Sequence, residues 1–70
     1  MKEQIEFLML DSIKKHGSLM PLFKVGYSYA KVMKWGKQLE IDGEILYHED
    51  GIRSLTELGK QRWKFLKKGK

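Results

Sequence analysis

The stretch Tyr27–Thr56, YSYAKVMKWGKQLEIDGEILYHEDGIRSLT, decides how this chain folds. Its first part has helical spacing. On a wheel of ~100° per residue, Tyr29, Val32, Gly36 and Leu39 share one side, with Met33 and Trp35 at its margins. Tyr27, Lys31, Lys34, Lys37 and Gln38 share the other side. Ser28 is placed to cap this helix, because its side-chain oxygen can accept from a backbone N–H of the first turn. Asp42-Gly43 ends it after Ile41. The pattern then changes to the short β-prone runs Ile45–His48 and Ile52–Leu55, joined through Glu49-Asp50-Gly51, where Asp-Gly favours a hairpin turn. Thr56 is placed to cap a further helix, with Glu57 in its positively polarised first turn.

Outward from this stretch, apolar residues recur at Ile5, Leu8, Met9 and Ile13, and Gly17 supplies a stop, so a first helix is expected over about 3–16. A short second helix is expected over about 20–25, with Pro21 in its first turn, where a missing N–H costs nothing. Leu22, Phe23 and Val25 are expected to face the core, and Gly26 to serve the turn into the next helix. That third helix is expected over about 28–41, the hairpin over about 45–55 and the last helix over about 56–68, with Lys67-Lys68-Gly69-Lys70 as a frayed tail.

Phe7 and Leu10 widen the apolar arc of the first helix beyond the Ile5/Met9/Ile13 stripe, leaving Gln4, Asp11 and Lys15 as the clear polar strip. So wide an arc is either a greasy surface or a helix buried on most sides. A chain of 70 residues buries only roughly 60% of its unfolded surface, and with Cys 0 it has no disulfide to add stability. A homodimer is therefore expected, with Phe7, Leu10, Leu58 and Phe65 at its interface. In the last helix, Leu58 and Phe65 form one stripe and Gly59, Trp63 and Leu66 another, with Arg62 between them. Either one stripe meets a partner, or both cover a single core and Arg62 reaches out to water.

The net charge of +5 is unevenly placed. Residues 1–11 carry −2, residues 12–39 carry +6 with no acid, residues 40–52 carry −5, and residues 53–70 carry +6. The N-terminus is too acidic for a secretory signal, and no apolar run approaches about 18 residues. A soluble, cytoplasmic protein without membrane association is expected. His16 and His48 lie in separate elements with no cysteine near them, and no phosphate loop, paired-carboxylate site or nucleophile motif is visible. An enzyme is not expected, nor a metal site, a cofactor or a small-molecule ligand.

The expected order is helix, short helix, lysine-studded helix, hairpin, helix. This is the outline of an α+β, mainly α, winged helix-turn-helix domain covering 1–70, with the third helix as the recognition helix and the hairpin as the wing. Such a helix needs an inner face that fixes it and an outer face of long donors for phosphate oxygens and base edges. The expected partner is double-stranded DNA. Tyr27, Ser28, Lys31, Lys34, Lys37, Gln38, Lys24 and Arg53 are the candidate DNA contacts, with Lys31, Lys34 and Gln38 nearest the bases and Lys24, Lys37 and Arg53 on flanking phosphates. Against this, Glu49 and Asp50 give the hairpin an acidic tip that phosphates repel. The alternative is a protein-docking module that uses Trp35, Trp63, Phe7 and the acidic segment 40–50.

The runs Val25–Leu39, Gly43-Glu44-Ile45 and Leu55-Thr56-Glu57-Leu58-Gly59-Lys60 resemble small archaeal winged-helix DNA-binding proteins, a family of transcriptional regulators and chromatin-protein-like members. The shared features are Ser-Tyr opening the recognition helix, an aromatic near its middle, Gly two residues before Ile at its exit, and Leu-Thr-x-x-Gly after the wing. The resemblance implies transcription regulation or DNA packaging. The chain departs from the family pattern at Gly36, where Leu is usual and where Phe23 or Trp35 is expected to fill the space. It departs again in its last helix, which is too short for the family's antiparallel coiled coil.

Overall fold

The computed structural model describes residues 1–69. Lys70, the end of the expected tail, lies outside them. Four helices and a two-stranded antiparallel hairpin follow in the order α1 (Glu3–His16), α2 (Met20–Lys24), α3 (Tyr29–Ile41), β1 (Ile45–Tyr47), β2 (Arg53–Leu55) and α4 (Glu57–Lys68). Local chemistry sets the boundaries. Gly17 closes α1 in the left-handed conformation, φ 65°, and its N–H donates to the Ile13 carbonyl at 2.8 Å. Ser28 Oγ accepts from the Lys31 N–H at 3.2 Å, and Thr56 Oγ1 from the Gly59 N–H at 3.1 Å, so α3 and α4 are both capped by side chains.

Ile45 pairs with Leu55, Leu46 with Ser54 and Tyr47 with Arg53. In the connecting turn the His48 N–H donates to the Ile52 carbonyl at 2.8 Å, Gly51 takes φ 87°, and Asp50 Oδ1 accepts from the Ile52 N–H at 3.0 Å. The hairpin's outer edge is not left open. The Arg53 N–H donates to the Gly17 carbonyl at 2.9 Å, which ties β2 to the segment between α1 and α2.

Met9, Leu10 and Ile13 of α1 meet Leu19, Leu22, Val32, Leu39, Ile45 and Leu66 in one buried cluster. α1 is the element around which α2, α3, β2 and α4 all pack. This answers the puzzle of its wide apolar arc: the chain surrounds its own first helix. Leu10 is 0% exposed, so it belongs to this core and offers no side chain to a partner, contrary to the interface expected for it. Val25 is 72% exposed and Tyr29 69% exposed, so neither faces the core. Val25 caps α2, after its last core residue, and Tyr29 starts α3 on the rim, where its ring stacks on Phe23 at 5.6 Å. The space beside Gly36 is filled by Leu19 and Met9, whose Cδ1 and Cε lie 3.3 and 3.8 Å from where a Cβ would stand, rather than by Phe23 or Trp35.

α4 docks through the Gly59, Trp63 and Leu66 side. Gly59 and Leu66 are buried, Trp63 donates from Nε1 to Asp11 Oδ1 at 3.0 Å, and Phe7 stacks on the Trp63 ring at 6.3 Å. Arg62 stays partly exposed, its side chain at 34%, but it also binds inward. Its Nη2 and Nε donate to the two carboxylate oxygens of Glu6, at 2.7 and 3.1 Å, making a two-pronged ion pair that joins α4 to α1. Leu58 and Phe65 remain exposed.

The tightest contact is at the start of α4. A Cβ on Gly59 would stand 2.0 Å from the carbonyl oxygen of Glu44, a backbone atom that the Thr56 N–H also binds, at 3.0 Å. Gly59→Ala must therefore push α4 off the β1 entrance and is expected to cost about 3 kcal/mol or more in urea unfolding. Gly36→Ala meets only the ends of flexible side chains and gains helix propensity, so its change should stay within about 1 kcal/mol. Equal effects at the two positions would remove the backbone contact as the cause.

Candidate nucleic-acid interface

α3 is fixed from within and basic without. Val32, Gly36 and Leu39 are buried, while Lys31, Lys34, Lys37 and Gln38 are exposed. The ion pairs among the described residues are Lys15–Asp11 and Arg62–Glu6, so the α3 lysines and Lys24, exposed at the end of α2, carry no carboxylate partner there. Ser28 is occupied as the cap. Tyr27 is half-buried with its ring edge-on to Trp35 at 5.8 Å, which braces the α2–α3 turn rather than freeing the phenol ring for contact. Gln38 Nε2 donates to Asp42 Oδ1 at 3.0 Å, across one helical turn, so reading a base edge requires that bond to open.

Arg53 belongs to a different neighbourhood. It lies on β2 with its guanidinium 4.7 Å above the Tyr47 ring, and the cleft it lines is shared with Lys14 of α1 and Lys60 of α4, not with α3. The expected contacts thus separate into an α2–α3 group and Arg53. Lys14 and Lys60 were missed as companions of Arg53 because nothing in their spacing links α1, β2 and α4. The acidic tip is confirmed in place: Glu49 and Asp50 are exposed, and His48 Nε2 shares a hydrogen bond with Ser54 Oγ at 2.7 Å.

An unexpected acidic cluster lies behind α3. Glu6 and Glu44 are both buried, and they share an open cleft of ≈ 400 Å³ with Lys34, Gln38 and Asp42. Arg62 satisfies Glu6, whereas Oε1 of Glu44 is buried without a hydrogen-bond partner. The bond from Arg62 holds the Glu6 carboxyl below the usual range, against the opposing effect of burial. Burial, followed by the hydrogen bond and charge of Glu6, pushes Glu44 up to about 7. Burial beside Glu6 thus favours the protonated form of Glu44. In the sequence Glu6 and Glu44 count only toward the charge of residues 1–11 and 40–52, since burial depends on which helices close over them.

Of the proposed partner-facing residues, Phe7 is half-buried against Trp63, while Leu58 and Phe65 are 47% and 62% exposed on α4. With Leu10 in the core, Phe7 of α1 and Phe65 of α4 remain together on one open cleft, and Leu58 stands exposed on α4. No helix among the described residues is long and apolar enough to cross a membrane. Comparison with protein-family models, curated proteins and solved structures returns no match to this chain.

The Glu44 carboxyl titrates near pH 7 in the folded protein against 4.5 in its ordinary state. Proton binding therefore favours the folded state most fully below the lower value, and that contribution is lost as pH rises through the higher one. Glu6 works in the opposite sense, its contribution fading as pH falls through its lowered value. The Glu44 contribution to thermal stability is expected to decline from about pH 5 to about pH 7, and Glu44→Gln to flatten that decline. An unaltered decline in the variant would assign the titration to another group.

Proposed function

We propose that this chain is a winged helix-turn-helix DNA-binding protein, with α3 as the recognition helix and the β1–β2 hairpin as the wing. Its role is that of a transcriptional regulator or a small architectural protein in the cytoplasm. The observation that carries the reading is the outer face of α3: Lys31, Lys34 and Lys37 exposed and without carboxylate partners on a helix pinned by Val32, Gly36 and Leu39. A rigid helix with unneutralised cations along one side suits phosphate contact and groove entry. Support for the wing comes from the antiparallel hairpin and from the Arg53–Gly17 backbone bond, which extends its edge toward the start of α2.

In this mechanism α3 enters the major groove. Lys31, Lys34 and Gln38 stand nearest the bases, and Lys24 and Lys37 approach flanking phosphates. Gln38 exchanges its bond to Asp42 for a base edge. The acidic tip of the hairpin holds the wing away from the backbone, which leaves α3 as the main contact. A homodimer formed through Leu58 and Phe65 of α4 would present two such helices to half-sites related by two-fold symmetry.

The test is duplex titration at several salt concentrations. Log affinity should fall linearly with log salt, by about 0.9 for each phosphate neutralised. Lys31→Glu combined with Lys34→Glu should abolish binding while circular dichroism and melting temperature stay near wild type, because both side chains are exposed. A variant that still binds would take α3 out of the interface. A folded wild-type protein that binds no duplex at low salt would favour the protein-docking alternative, for which the exposed Leu58 and Phe65 offer an apolar face.

A further inference from the structure

The cleft at the base of the hairpin collects positive charge that the proposed α3 contact does not use. Lys14 of α1, Arg53 of β2 and Lys60 of α4 line an open space of ≈ 550 Å³ with Gly17 and Ser54, and no acidic side chain is among the lining residues. Arg53 is held in place on its planar face by Tyr47, at 4.7 Å, and Lys14 by the ring of Trp63, also at 4.7 Å. Neither of these cations, nor Lys60, takes part in an ion pair among the described residues. The Arg53 Nε–H is buried and has no hydrogen-bond acceptor.

These features are costly to a protein with nothing to bind there. Three like charges from three elements repel one another, and a buried donor without an acceptor loses its hydration with no return. A ligand with several acceptor oxygens and negative charge answers the first of these, the clustering of cations. A guanidinium whose face is fixed by an aromatic ring presents its N–H fork edgewise, which matches the oxygens of a phosphate, while lysines add point charges from the sides. A single carboxylate would leave two of the three cations unneutralised.

We propose that Lys14, Arg53 and Lys60 form a phosphate-group site, distinct from the outer face of α3. The phosphate is carried either by the backbone of a bound duplex, which rests on the DNA reading above, or by a small free phosphate, which does not. In the duplex case the site sets the register of the protein on DNA from the hairpin side, in place of the acidic tip.

The experiment records backbone amide spectra of wild type, Lys60→Gln and Arg53→Gln, each titrated separately with inorganic pyrophosphate and with a short random duplex. Saturable shifts at Gly17, Arg53 and Ser54 on adding pyrophosphate, weakened roughly tenfold in the variants, support a site for small phosphates. Shifts of the same amides with duplex, together with a salt slope smaller by about 0.9 per contact removed, support backbone capture. Lys60 is exposed, so its variant keeps the test valid if Arg53→Gln disturbs the hairpin. Silence of these amides toward both probes, or shifts spread evenly over all exposed lysines, overturns the site. The α3 reading fails separately: wild type that binds no duplex defeats it, while the pyrophosphate arm still decides the cleft.

Discussion

The contact on which the other parts depend is the seating of the first turn of α4 on the backbone of Glu44. Gly59 allows an approach that no side chain would permit, and the Glu44 carbonyl receives the Thr56 N–H at the same point. The Glu44 N–H in turn donates to the Leu39 carbonyl at 2.9 Å, so one residue joins the exit of α3, the entrance of β1 and the start of α4. With that joint made, α4 lies along α1 and closes the core with Leu66, and Arg62 is brought to Glu6. A displaced α4 would lose the Trp63–Asp11 bond and the Phe7–Trp63 stack together, because all of them lie along one helix.

The same seating explains the two buried carboxyls. α4 covers Glu6 and Glu44 in the course of covering α1, and one guanidinium cannot neutralise both. Arg62 spends both of its hydrogen bonds on Glu6. Glu44 is left to hold a proton, which makes the stability of the α3–β1–α4 joint a function of pH up to neutrality. The joint lies behind Lys34 and Gln38, so the proton and the basic face of α3 are neighbours in one cleft.

Charge on this molecule is partitioned by element rather than averaged. The cations of α3 point outward on one element, whereas Lys14, Arg53 and Lys60 converge from three, and Lys14 and Lys67 each bring Nζ within 4.7 Å of the Trp63 ring centroid. Aromatic rings therefore position several of the basic groups, a role usually taken by carboxylates on protein surfaces. That choice leaves the positive charge unneutralised, which is the condition for attracting a polyanion.

Local chemistry was legible in the amino-acid sequence. Ser28 and Thr56 announce the starts of α3 and α4, Gly17 the end of α1, and Asp50-Gly51 the hairpin turn, because caps and turns are satisfied within a few residues along the chain. The lysine face of α3 was legible for the same reason, since helical periodicity alone separates Lys31, Lys34 and Lys37 from Val32 and Leu39. What the sequence could not decide is how helices meet. Leu10 and Leu58 read alike as apolar residues at helical spacing, yet one is enclosed and the other exposed. Arg62 reads as a surface cation but pairs with a residue 56 positions away. The enclosure of α1 within one chain, the shared burial of Glu6 and Glu44, and the meeting of Lys14, Arg53 and Lys60 all follow from where α4 docks. That placement is set by a backbone approach at Gly59: the Leu-Thr-x-x-Gly pattern marks the glycine, but that the Glu44 carbonyl is what meets it is decided only by the tertiary structure.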